Sequence, residues 1–129
     1  MKRVLLVTFF ASAALIPAGR AVAHHSFAAT YFENKTQKLE GNVVQFMYRN
    51  PHSFVQIEAP DARGAVQRWS VEWGPSGQLG RQGVTRDTLK PGDHVVIIGN
   101  PGRYPDDHRL RMVNITRPSD GWKWGGTFE

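Results

Sequence analysis

Cysteine is absent from the 129 residues. That absence excludes disulfides, thiolate metal sites, a cysteine nucleophile and an acylated-cysteine anchor. The most apolar stretch, Val4–Ile16, runs for only thirteen residues, short of the ~20 that a membrane-spanning helix needs. Charge of one sign is also scarce where it counts. The formal net charge is +5, but Lys2, Arg3 and Arg20 all precede His24, and residues 24–129 carry 13 basic against 11 acidic side chains, a net of +2. So even a balance does not point to nucleic acid or an anionic membrane as the main partner. Catalytic signatures are missing as well: no G-x-S-x-G elbow, no phosphate-binding loop, no dinucleotide fingerprint and no HExxH. Neither an internal repeat nor a low-complexity tract interrupts residues 24–129. What remains, 40% hydrophobic and 21% charged, is the composition of one globular domain. It excludes a disordered, collagenous or polytopic membrane protein.

What is present begins with an address. Lys2 and Arg3 form a positive n-region, Val4–Ile16 an apolar h-region, Pro17 and Gly19 a helix break, and Ala21-Val22-Ala23 a small-residue cleavage triplet. This order predicts a signal peptide over residues 1–23, cut between Ala23 and His24, with the mature chain exported to the periplasm and without a stable membrane anchor. With no Arg-Arg pair, the general secretion route is expected. Cleavage there exposes His24-His25-Ser26-Phe27 as the mature start. A free α-amine and the δ-nitrogen of the same histidine can close a chelate ring on one metal ion.

The body reads as all-β. Residues 24–37 are expected to form an extended arm with Phe27, Tyr31 and Phe32 as anchors. A long first strand follows over 38–48, with Gly41 inside it where a strand can bend sharply. Asn50-Pro51-His52 is a turn signal. Ser53–Ala59 alternates Val55 and Ile57 against Phe54, Gln56 and Glu58, and Arg68–Trp73 alternates Trp69, Val71 and Trp73 against Arg68, Ser70 and Glu72. These are half-buried strands. Residues 75–81 predict a short helix weakened by glycines, and Thr85–Leu89 a helical turn before the Pro91-Gly92-Asp93 turn. His94–Gly99 is the fourth strand, 100–108 a loop, and Leu110–Thr116 the fifth strand. Five strands with a helical insert between strands 3 and 4 predict a small five-stranded OB-like barrel over residues 38–118, with a β-sandwich as the alternative. A Gly/Trp-rich tail without helical or strand pattern occupies 119–129.

Five blocks carry a resemblance: His24-His25-Ser26-Phe27, Leu39-Glu40-Gly41, Asn50-Pro51-His52-Ser53, Trp69-Ser70-Val71-Glu72 and Leu89-Lys90-Pro91-Gly92-Asp93. Together they resemble a family of small exported bacterial proteins catalogued only as a domain of unknown function, over nearly all of residues 24–118. The resemblance implies export and a small β-rich domain. It implies no activity and no catalytic residue, and the Trp122/Trp124 tail is not part of it.

The candidate ligands are histidines. In its exposed His24, with His52 or His25 within the same chain, the sequence resembles copper monooxygenases and periplasmic copper carriers, where an N-terminal histidine binds through amine and ring and a second imidazole completes the site. Amine and imidazole nitrogen favour copper(II) among first-row divalent ions. His52 lies in the turn between strands 1 and 2. The loop before strand 5 brings Asp106, Asp107 and His108, and in an OB-type barrel these two loops flank the usual binding face. Convergence of His52, His108 and a carboxylate is therefore expected as a weaker site, against the simpler alternative of two ordinary turn residues. His94 is expected as a strand-edge residue, and Glu40, Glu58 and Glu72 as strand residues that spacing alone does not join. Trp69 and Trp73 are expected in the core; Trp122 and Trp124 either dock on the barrel or offer a stacking surface. The sequence thus suggests a non-catalytic periplasmic binding protein that carries copper. A metal-free module docking on a periplasmic or membrane complex is the alternative, and a copper-dependent oxidative enzyme a weaker one.

Overall fold

The computed structural model describes residues 26–128. The residues expected to form a signal peptide, the expected cleavage site, His24 and His25 lie outside them. The described chain runs α1 (Phe27–Thr30), β1 (Gln37–Met47), β2 (Ser53–Pro60), β3 (Val66–Trp73), α2 (Ser76–Arg81), β4 (His94–Pro101), β5 (Arg109–Arg117) and β6 (Trp122–Gly125), with a 3-10 turn at Pro105–Asp107 before β5. Antiparallel pairings join β3 to β2, β2 to β1, β1 to β4 and β4 to β5. A parallel pairing of β3 with β5, in which Val71 faces Leu110, closes the circle. This is a closed five-stranded barrel with a short helix between strands 3 and 4, as the order of elements predicts. Closure removes the free edges that an open five-strand sheet would leave.

Alternation explains which face each strand buries. In β2, Val55, Ile57 and Ala59 are buried; in β3, Trp69, Val71 and Trp73. They meet Leu39 and Val43 of β1, Val95 and Ile97 of β4, and Leu110, Met112 and Ile115 of β5 in one core. The Trp69 indole N–H donates to the Ala59 carbonyl at 3.1 Å, so this large ring is buried with its polar atom paired. Two glycines let strands approach closely. A Cβ at Gly41 would lie 2.0 Å from the Glu58 carbonyl oxygen, and one at Gly99 would lie 2.7 Å from that of Arg111. Side chains there would force β1 from β2 and β4 from β5.

Four local expectations are corrected. The arm is not wholly extended: Phe27–Thr30 form one helical turn, which puts Phe27 and Tyr31 four residues apart on one side, and Tyr31 then bridges to Gly102. Thr85–Leu89 makes a single turn and no helix: the Thr88 N–H donates to the Thr85 carbonyl at 3.1 Å, and the Thr85 N–H donates to the Thr88 hydroxyl at 2.8 Å. Strand β4 runs on to Pro101, past the predicted loop start. The tail contains a sixth strand, β6, on which Trp122 and Trp124 pair with Arg117 and Ile115 of β5. Trp124 docks edge-on to Trp73, with ring centroids 5.0 Å apart. Its alternation is too short, at four residues, to stand out among the glycines.

Candidate functional site

The outer face of β3 holds a buried carboxylate. Glu72 alternates away from the core with Arg68 and Ser70, yet only 7% of it is exposed. The covering comes from outside the barrel, where the N-terminal arm crosses β3 and β5. Tyr31 is wholly buried and its hydroxyl donates to Glu72 Oε2 at 2.5 Å. Arg109, from β5, brings Nη2 to 3.7 Å of the same oxygen. The other oxygen, Oε1, is held by Nδ1 of His52, which projects from the β1–β2 turn. A buried carboxylate is costly unless its lone pairs and charge are met, and here two hydrogen-bond donors, Tyr31 and His52, and the nearby guanidinium of Arg109 meet them.

Each member shapes the others. Burial, then the hydrogen bond to Glu72, pushes the Tyr31 phenol well above its ordinary value, so Tyr31 remains a donor. A carboxylate only accepts, so His52 donates from Nδ1, and in the neutral imidazole the lone pair is then on Nε2. Among the described residues Nε2 has no hydrogen-bond partner. The imidazole, about a quarter exposed, is stacked by Phe27 of α1, the ring planes 21° apart and centroids 5.6 Å apart. Arg111 lies over Phe27 in turn: its guanidinium is 3.9 Å from the Phe27 centroid, donates to the Phe128 carbonyl at 2.9 Å and reaches Glu33 at 3.5 Å. The arm, β5 and the C-terminal residues are thereby tied together around His52.

The predicted histidines separate into three surroundings. His52 belongs to this cluster. His108 sits at the end of the 3-10 turn in the left-handed region, φ 46°, with its ring against the edge of Trp69 at 4.9 Å. It lines a different cavity from that of His52. The expected convergence of His52, His108 and a carboxylate is not formed, since among the described residues no three His, Asp or Glu side chains gather in a way that holds a metal ion. The reason is register: His108 leads into Arg109, which pairs with Ser70, whereas His52 precedes Ser53, which pairs with Trp73. The two loops therefore meet β3 at opposite ends of Ser70–Trp73. His94 is the strand-edge residue expected, exposed, with Nδ1 3.0 Å from Asn42 Oδ1 and Nε2 3.2 Å from Glu40 Oε1.

Sequence reasoning missed Glu72 and Tyr31 as partners. Alternation placed Glu72 outward, and outward normally means solvated; no local signal announces that an arm forty residues earlier will cover it. Among the described residues no helix is long and apolar enough to cross a membrane. No curated protein and no solved structure matches the chain. A family model, described as a family of unknown function, matches residues 13–111 and so spans both ends of the cluster from Tyr31 through His52 and Glu72 to Arg109. On that match the chain belongs to the Family of unknown function (DUF6152).

Proposed function

We propose that the chain is an exported, non-catalytic binding protein that takes copper(II) through the amine and ring of a mature N-terminal His24 and through Nε2 of His52. The observation that supports this reading is the His52–Glu72 pair. A metal-ligating histidine characteristically donates its other ring N–H to a carboxylate, which fixes the tautomer and orientation and raises the basicity of the ligating nitrogen. Here the donor is Nδ1, the carboxylate is buried and braced by Tyr31 and Arg109, and Nε2 is the nitrogen left for a metal.

Chain length supports the rest. Phe27 stacks on His52, and His24 is three residues before it. Three residues span at most ~10 Å, so the amine of His24 is within reach of the same imidazole. His25 is the second choice for a further ligand. Once amine and ring close a chelate, the third bond forms at high effective concentration.

Three preparations test the reading by copper(II) titration, with electron paramagnetic resonance to count nitrogen ligands: the chain beginning at His24, the same chain with one extra residue before His24, and His52→Ala. The extra residue is expected to weaken binding strongly although every imidazole remains. His52→Ala is expected to weaken it and to remove one nitrogen from the spectrum. Binding must also fall on acidification from pH 8 to pH 5, because amine and imidazole must lose protons to coordinate. Undiminished binding by the extended chain would rule out the N-terminal chelate. If His52→Ala also binds as well as the natural chain, any copper held is adventitious. Oxygen consumption in the presence of copper and a reductant would overturn the non-catalytic part in favour of an oxidative enzyme.

A further inference from the structure

A second cavity, of about 480 Å³, opens at the other end of β3, between the β2–β3 turn, the β4–β5 loop and the chain leading into β1. Its size is that of small-molecule sites, ~300–1,000 Å³. Its apolar walls include Phe32, Trp69 and Tyr104. Trp69 belongs to the core and is only 6% exposed, whereas Tyr104 is 72% exposed, an uncovered aromatic at the mouth. Both carboxylates and all three cations that line it have to be weighed. Asp61 is committed: its Oδ1 accepts from the N–H groups of Arg63 and Ala65 at 2.8 and 3.0 Å, and its Oδ2 from Gln67 at 3.2 Å. Those bonds, led by that of Gln67, hold its carboxyl below the usual range. Asp106 is exposed, on the 3-10 turn at the rim. Against them stand Lys35, Arg63 and Arg109. Lys35 lies over Phe32, 4.2 Å from its centroid, and Arg109 is 3.7 Å from Glu72. Arg109 is thus engaged with Glu72, whereas among the described residues no side-chain N–H of Lys35 or Arg63 has a hydrogen-bonded acceptor.

We propose that this cavity is a binding site for a flat organic anion, a carboxylate carried on an aromatic ring. The ring lies against the aromatic walls, and the carboxylate meets the ammonium of Lys35 and the guanidinium of Arg63, both exposed and uncommitted. Guanidinium and carboxylate match in planar, two-bond geometry. Charge decides the class. A cationic ligand would find one carboxylate already satisfied and the other at the solvated rim, facing the free charges of Lys35 and Arg63. A neutral ligand would leave those groups as they are.

The test uses nuclear magnetic resonance titrations with 2-naphthoate, 2-naphthamide and 2-naphthylmethylammonium, which share one ring system and differ in charge. Naphthoate is expected to move the amide signals of Gly102, Arg103 and His108 and the indole N–H signal of Trp69, and to bind at least about tenfold more tightly than the amide. Added salt should narrow that ratio. Lys35→Glu and Arg63→Glu, both at exposed positions, are expected to weaken naphthoate about tenfold each while leaving copper titrations unchanged. Arg109 is left intact because it also touches Glu72. Equal affinity for the acid and the amide, tighter binding of the ammonium, shifts centred on another part of the barrel, or no shifts from any probe would each overturn the proposal. Failure of the copper site alone would not touch it.

Discussion

Among the described residues a histidine pairs with a glutamate in two places, and the two pairs teach opposite lessons. His94 and Glu40 meet across β4 and β1 with half of each side chain exposed. Lys38 also reaches Glu40, at 3.0 Å, and the hydrogen bond from His94, then that from Lys38, holds the Glu40 carboxyl below its ordinary value. Water screens this pair, and its members have other neighbours to turn to. His52 and Glu72 meet where the arm shuts water out, with the glutamate side chain 9% exposed. There the carboxylate has no alternative partners in solvent, so each donor it has is needed. The same two residue types form a solvated surface contact in one place and a braced, oriented imidazole in the other.

The largest expected effect breaks the buried pair. Glu72→Ala strands the Tyr31 hydroxyl, the His52 N–H and the Arg109 guanidinium, and urea unfolding at pH 7 should show a loss of about 2–4 kcal/mol. A loss within error of zero would mean that Glu72 is as solvated as Glu40. Copper affinity should fall with it, since nothing then fixes His52, whereas His94→Ala should leave copper affinity unchanged. Next comes Tyr31→Phe, which removes one donor and keeps the ring; about 1–2 kcal/mol should go. The variant also carries a pH signature. The phenol's pKa is raised in the folded state above its ordinary 10.0, so the folded chain holds that proton more tightly than the unfolded chain. The stabilisation is complete below about pH 10 and is lost as pH rises from there towards the folded value. Unfolding curves between pH 8 and pH 12 should therefore fall more steeply for the natural chain than for Tyr31→Phe. Parallel curves would place the phenol in contact with water. Smallest is Glu40→Ala, for which the urea midpoint should not move measurably, and any slight shift should vanish in high salt. A substantial loss there would erase the contrast on which the comparison stands.

Much of the barrel was legible because its signals are local. Val55 and Ile57 against Gln56 and Glu58, or Trp69, Val71 and Trp73 against Arg68 and Ser70, disclose a buried face through the period of two in the strand itself. The Lys90-Pro91-Gly92-Asp93 turn announces β4 by backbone preference alone, and Gly92 does adopt a positive φ of 92°. By contrast β6 was hidden, since Trp122-Lys123-Trp124 is too short to set a period. Its strand character comes from pairing with Asn114, Ile115 and Thr116, already held in place by β4. Of the candidate site, His52 was singled out for its turn. Its partner was not, because Glu72 obeys the same alternation as Ser70 and Arg68, both of which face water or polar neighbours.

Alternation, turn residues and the order of elements belong to the sequence by itself: they determine five strands, the helix between the third and fourth, and the inward set of side chains. These depend on a residue's near neighbours and on the dihedral preferences of glycine and proline, which a linear string already contains. The choice of partners for Glu72 was decided only in three dimensions. Tyr31, His52 and Arg109 come from positions 41, 20 and 37 residues away along the chain, and what brings them to one carboxylate is barrel closure of β3 on β5 and the path of the arm across that seam. Closure also separates His108 from His52, by setting them against different ends of one strand. Burial of an outward-facing residue is a property of whatever crosses over it, and no period within the strand can encode that crossing.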